Sequence, residues 1–150
     1  MAEVLFYHLT RTPLERTLPE LLEKSLQRGW RAMVKGSDAD RLAFLDEKLW
    51  TYRDDSFLPH GTENGAMQPV FLTCGDEVPN AAEIVFLVDG AEMPPDSMSA
   101  FERVCLLFDG NDPAAVEAAR GVWKVVTAAG LPAKYWAQED GGWKQKAASG

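Results

Sequence analysis

The sequence predicts one α/β domain, with a mixed, mostly parallel sheet and helices on both faces. The outline is Rossmann-like, without a nucleotide fingerprint. Three observations carry this. Short runs of β-branched and aromatic residues alternate with longer stretches of helical period, giving strand, helix, strand, helix from the N-terminus. That order implies a βαβ unit and hence parallel neighbours. The length of 150 residues suits a single core, and 46% hydrophobic with 25% charged residues is ordinary for a globular fold.

Val4–Leu9 (VLFYHL) is a first buried strand. A helix follows with two possible starts, because Thr12-Pro13-Leu14-Glu15 and Thr17-Leu18-Pro19-Glu20 both look like capping boxes. Pro19 is costly in a helix interior and acceptable in a first turn, which favours a start at Leu18 with Thr17 as cap. Gly29 closes that helix. Trp30–Lys35 is a second strand, and Ser37 with Asp40 opens a second helix over Asp38–Trp50. Pro69–Thr73 and Glu83–Val88 are further strands, and Ala91–Met98 is irregular. Phe101–Phe108 fits helix or strand by period; Val104, Leu106, Leu107 and Phe108 favour a buried strand. Asp112 caps a last helix with Pro113 at its first position, ending at Ala129 before Gly130. Lys134–Gln138 is a last strand. Residues 139–150 are polar, contain Gly141-Gly142, and are expected to fray as a flexible tail.

The net charge of −8 argues against nucleic acid as the main partner, since phosphate binding wants a broad basic surface. No apolar run approaches a membrane span. The N-terminus carries Glu3 and no basic region, so it does not read as a signal peptide, and a cytoplasmic location is expected. Cys74 and Cys105 are widely spaced and fit reduced thiols. With His8 and His60 the only histidines and two lone cysteines, a structural zinc site is not expected.

Leu45–Gly61 (LDEKLWTYRDDSFLPHG) carries more apolar side chains than one helix face needs. Trp50, Tyr52, Phe57 and Leu58 stand among Arg53, Asp54 and Asp55, before Pro59-His60-Gly61. Either this segment presents a binding surface or Trp50 and Phe57 cap the edge of the core. On the last helix, Arg120 and Lys124 share a face, with Trp123 adjacent and Glu117 one turn before. Two cations beside an indole suit a short peptide carrying a carboxylate and an apolar side chain. A solvated charged face with Trp123 packed inward fits the same residues.

Catalytic signatures are sparse. HLTRTPLE stands where a glycine-rich phosphate loop would follow the first strand, and no P-loop occurs. Ser56 and His60 could be a nucleophile and base, but nothing orients them, and Asp54-Asp55 reads as a solvated pair.

Several stretches together resemble one family. They are Phe6-Tyr7, RGWR ending at Arg31, RLAFLDEKLWTYRDDSFLPHG (Arg41–Gly61), QPVFLT (Gln68–Thr73), FERVCLLFDG (Phe101–Gly110) and ARGVWKVVTAAG (Ala119–Gly130). The chain resembles the chi subunit of bacterial DNA polymerase III holoenzyme, part of the clamp-loader assembly. The resemblance implies a non-catalytic adaptor with no cofactor and no metal, touching DNA only indirectly. It implies binding of the acidic C-terminal tail of single-stranded-DNA-binding protein at Arg120 and Lys124, with Trp123 where the family also has an aromatic. A pocket near Phe108 and Trp123 would take the tail's last aromatic side chain. It also implies that Trp50 and Phe57, with Tyr52 and Leu58, face a psi subunit, or another clamp-loader or helicase partner. In some members a further basic residue stands one turn before Arg120; here that position is Val116, and Arg103 is a candidate to complete the site.

Overall fold

The computed structural model describes residues 2–51, 60–62, 68–75, 80–139 and 142–149. In chain order they form β1 (Glu3–Leu9), α1 (Leu14–Gln27), β2 (Ala32–Lys35), α2 (Ala39–Thr51), β3 (Val70–Thr73), β4 (Ile84–Leu87), α3 (Pro95–Met98), β5 (Arg103–Asp109), α4 (Pro113–Ala128), β6 (Ala133–Glu139) and β7 (Gly142–Ser149). One seven-stranded sheet results, in the order β3-β2-β4-β5-β1-β6-β7. Every pairing is parallel except that of β6 with β7. The fold is thus α/β with a mostly parallel sheet, as the alternation of patterns predicts.

Strand alternation sends side chains to two cores. Leu5, Leu9, Cys105 and Leu107 meet Leu18 and Leu22 of α1 and Leu42, Leu45 and Leu49 of α2 on one face. Val4, Phe6, Val104, Leu106 and Phe108 meet Ala119 and Val126 of α4 on the other. β2, β3 and β4 are buried throughout, which explains why they are apolar but for Lys35 and Thr73 at the ends of β2 and β3. Among the described residues no helix is long and apolar enough to cross a membrane.

Four elements differ from expectation, one being the short helix α3 within the stretch Ala91–Met98 expected to be irregular. Helix α1 starts at Leu14, a turn before Leu18, with Pro13 at the cap position and Pro19 inside the helix. Its opening turn is held by the Pro13 carbonyl, which accepts from Arg16 N and Thr17 N at 3.1 and 3.2 Å. Thr17 is buried, and its hydroxyl pairs with that of Thr12 at 2.7 Å instead of capping. Burial of Thr17, Leu18 and Pro19 offsets the hydrogen bond that the proline cannot make. At α2 the cap is Asp38, whose Oδ1 accepts from Asp40 N at 3.0 Å, while Ser37 donates to the Asp89 carbonyl. The stretch expected to fray beyond Glu139 instead forms β7, antiparallel to β6 over most of its length.

Tyr7 and Cys105 share the α1 face of the sheet, on adjacent strands and two positions apart in register. Burial pushes the Cys105 thiol from its ordinary 9.0 up to about 12, and raises the Tyr7 phenol as well. The folded state therefore keeps protons that the unfolded chain releases, so stability should fall as pH rises from about 9 toward 12. Urea midpoints across that window check this, and Cys105→Ala should flatten the slope. A slope equal in the two proteins would remove the thiol from the account.

Candidate functional site

Helix α4 is fixed in phase by its start. Asp112 Oδ1 accepts from Ala114 N at 3.0 Å, and Pro113 occupies the first turn. Ala119 and Val126 point straight into the sheet. At about 100° per residue, Val116, Arg120, Trp123 and Thr127 fall on the flank toward β6, with Lys124 slightly further out. Ala115, Ala118 and Val122 fall on the opposite flank. The sequence therefore splits α4 into two differently furnished sides.

Strand β6 supplies the floor beside the Arg120 flank. Ala133, Tyr135 and Ala137 share the α4 face, and the small alanines leave the tyrosine ring prominent. Trp123 meets Phe6 edge-on at 5.3 Å between centroids, and Tyr135 at 6.2 Å. Phe6 stacks with Tyr135 at 6.3 Å. The Tyr135 hydroxyl lies 2.6 Å from His8 Nδ1, and His8 Nε2 lies 3.4 Å from the Gly110 carbonyl. An Nε2–H tautomer donates to that carbonyl, and Nδ1 then accepts from the tyrosine. Burial raises the Tyr135 pKa, and the Arg120 guanidinium pulls against that rise. Arg120 is 68% exposed and its 3.9 Å contact to Glu117 is long, so that pair adds little.

The structure thus brings Arg120 and Trp123 together, with Lys124 exposed beside them. It adds Tyr135 and His8, which sequence reasoning missed. The only signal for Tyr135 was its place between Ala133 and Ala137 in an alternating strand. Phe108 lies under the same aromatic group. It is 8% exposed, its ring packs against His8 and Tyr135 beneath α4, and it opens onto the other flank. Arg103 lies on the opposite sheet face, near Glu3 at 3.9 Å and over the Trp30 ring, so it does not complete this site. The side chain of Trp50, and all of Tyr52, Phe57 and Leu58, lie outside the described residues. His60 is buried and its Nε2 reaches the Asp46 carbonyl at 3.0 Å, tying the chain to α2.

A cavity of about 860 Å³ opens on the other flank, between the β1–α1 loop, the ends of β4 and β5, and α4. In α/β sheets this edge is where nucleotides bind. Here the backbone donors that would hold a phosphate have partners within the chain. Gln138 Oε1 accepts from Thr10 N, Arg11 N and Thr12 N at 3.0, 2.9 and 3.2 Å. Asp112 takes a donor at the start of α4. Among the described residues no His, Cys, Asp or Glu group is placed to hold a metal ion.

Taken together, this is an α/β domain whose last helix lays a basic and aromatic flank over β1 and β6 of its sheet. The family described as DNA polymerase III chi subunit, HolC, matches residues 1–134, and the chain belongs to that family. It is accordingly an accessory subunit of the replication machinery. It is 29% identical to the DNA polymerase III subunit chi of Pseudomonas aeruginosa over 113 residues, covering 75% of this chain and 78% of that one. It is 22% identical to the probable DNA polymerase III subunit chi of Rickettsia prowazekii over 117 residues, covering 73% and 71%.

Proposed function

We propose that the chain is a non-catalytic adaptor. It holds the acidic C-terminal tail of single-stranded-DNA-binding protein on the Arg120 flank of α4 and links it to the polymerase III clamp-loader complex. The single observation that supports this most is the packing of Trp123 on Tyr135, with the exposed Arg120 on the same flank of α4. Arg120 receives the tail's carboxylate, as a guanidinium does with two parallel donors. The exposed edges of Trp123 and Tyr135 take its last aromatic side chain, with Lys124 adding charge one turn on and Phe108 backing the tyrosine from below. A psi subunit, or another clamp-loader or helicase partner, engages the Trp50–Leu58 segment.

An interface this small gives roughly micromolar affinity. An oligomeric DNA-coating protein raises it by presenting several tails. The test is fluorescence anisotropy of a labelled acidic, Phe-terminated peptide. Saturable binding to the wild type should weaken roughly tenfold or more in Arg120→Ala, the scale of a hydrogen bond to a charged group. Equal binding by the two proteins would overturn the site.

A further inference from the structure

The charge of this chain is unevenly placed. Residues 1–119 hold ten Lys or Arg against 21 Asp or Glu, whereas residues 120–150 hold five against two. Two of the five, Lys144 and Lys146, stand on β7, beyond residue 134 where the family match ends. We propose that the C-terminal hairpin, β6 with β7, forms a second wall of the tail groove, and that Lys144 and Lys146 hold acidic residues upstream of the tail's end. This rests on the tail-binding reading above.

The placement follows from strand alternation. Trp143 packs into the α1-side core, its ring 5.2 Å from that of Tyr7. Its neighbour Lys144 therefore projects from the α4 side, where it pairs with Ala137. Further along, Trp136 pairs with Gln145 and Tyr135 with Ala147, so Lys146 is the extra residue of a bulge beside Tyr135. Both lysines are exposed. Helix α4 packs over β5, β1 and β6, so this face of β7 forms a ledge beside the Arg120 flank. A strand's two-residue repeat spans roughly 7 Å, the same as in an extended peptide, so acids at alternate positions match the two lysines. An acidic strand is the occupant that this charge selects, since most of the remaining surface repels it.

Two labelled peptides test this, used with the full chain. One is a four-residue acidic segment ending in Phe; the other precedes it with Asp at alternate positions. Lys144→Ala with Lys146→Ala should bind the short peptide as the wild type does. It should bind the long one roughly three- to tenfold more weakly, the scale of two exposed ion pairs. Arginine at both positions should restore the long peptide. If the alanine pair binds the long peptide as tightly as the wild type while Arg120→Ala weakens both peptides, the hairpin proposal is wrong and the tail site stands. Equal weakening of both peptides by the alanine pair also overturns it. If Arg120→Ala weakens neither, the tail site itself falls, and this proposal with it.

Discussion

Gly110→Ala should lower the thermal midpoint by roughly 5–10 °C, from an overpacking cost of about 2–3 kcal/mol in a domain of this size. Gly110 follows β5 and donates its N–H to the Leu9 carbonyl at 2.6 Å. A β-carbon there would land on the His8 ring and 2.8 Å from Thr10 Cγ2. The imidazole has little room to yield, because Tyr135 holds its Nδ1 and the Phe108 ring lies 5.1 Å away. Relief must come from shifting His8, and Tyr135 would move with it. Peptide binding should therefore weaken along with stability, although Gly110 lies on the far side of His8 from the proposed site. A calorimetric midpoint unchanged by the substitution would show that the end of β5 moves more easily than this packing implies.

Gln138→Ala should cost a similar amount, about 2–4 kcal/mol, by leaving three successive amides of the β1–α1 loop without their acceptor. The same side chain donates its Nε2 to Thr12 Oγ1 at 2.7 Å, and its backbone carbonyl accepts from Thr10 Oγ1 at 3.3 Å. One residue thus fastens β6 to the loop that leads into α1. Hydrogen exchange at residues 10–12 should quicken markedly in the variant, while exchange in β2 and β4 should hardly change. Gln138→Glu should behave differently. A carboxylate accepts all three donors, so much of the stability should return at pH 7. Its folded-state pKa would sit below the unfolded value of about 4.3, so that recovered part should be lost as pH falls through the folded value. Loop amides that exchange as slowly in Gln138→Ala as in the wild type would sink this account.

Much of the fold could be read from local pattern. Asp112-Pro113 and Gly130 mark the ends of α4 in the sequence because caps are local chemistry. The runs WRAMVK, PVFLT and EIVFLV announce strands by composition, and β2, β3 and β4 fall inside them. The failures were tertiary. The start of α1 was misplaced because the burial that compensates Pro19 and the partner of the Thr17 hydroxyl lie elsewhere in the fold. Strand β7 was missed because it is polar and opens on glycine; its order comes from pairing with β6 and from Trp143 packing on Tyr7. Within the candidate site, Arg120 and Trp123 are legible from helical spacing. His8 and Tyr135 are not, since 127 positions separate them and only the parallel pairing of β1 with β6 brings them together. Trp123 packs inward on Phe6, as one of its two sequence readings has it, and stays only partly buried.

The strand order has a consequence for how the chain is made. Strand β1 leaves the ribosome first, yet both its neighbours come late: Glu3 pairs beside Arg103, and Val4 beside Ala133. Until β5 has emerged, Val4, Phe6 and Leu9 have no sheet to join. Contacts this distant along the chain make closure of the core slow, because loop entropy is lost before pairing can compensate it. The β2, β3 and β4 strands can associate earlier and wait as a partly formed sheet with a bare edge. That intermediate, exposing the flank of β4 to which β5 will add, is the species most prone to aggregate during synthesis.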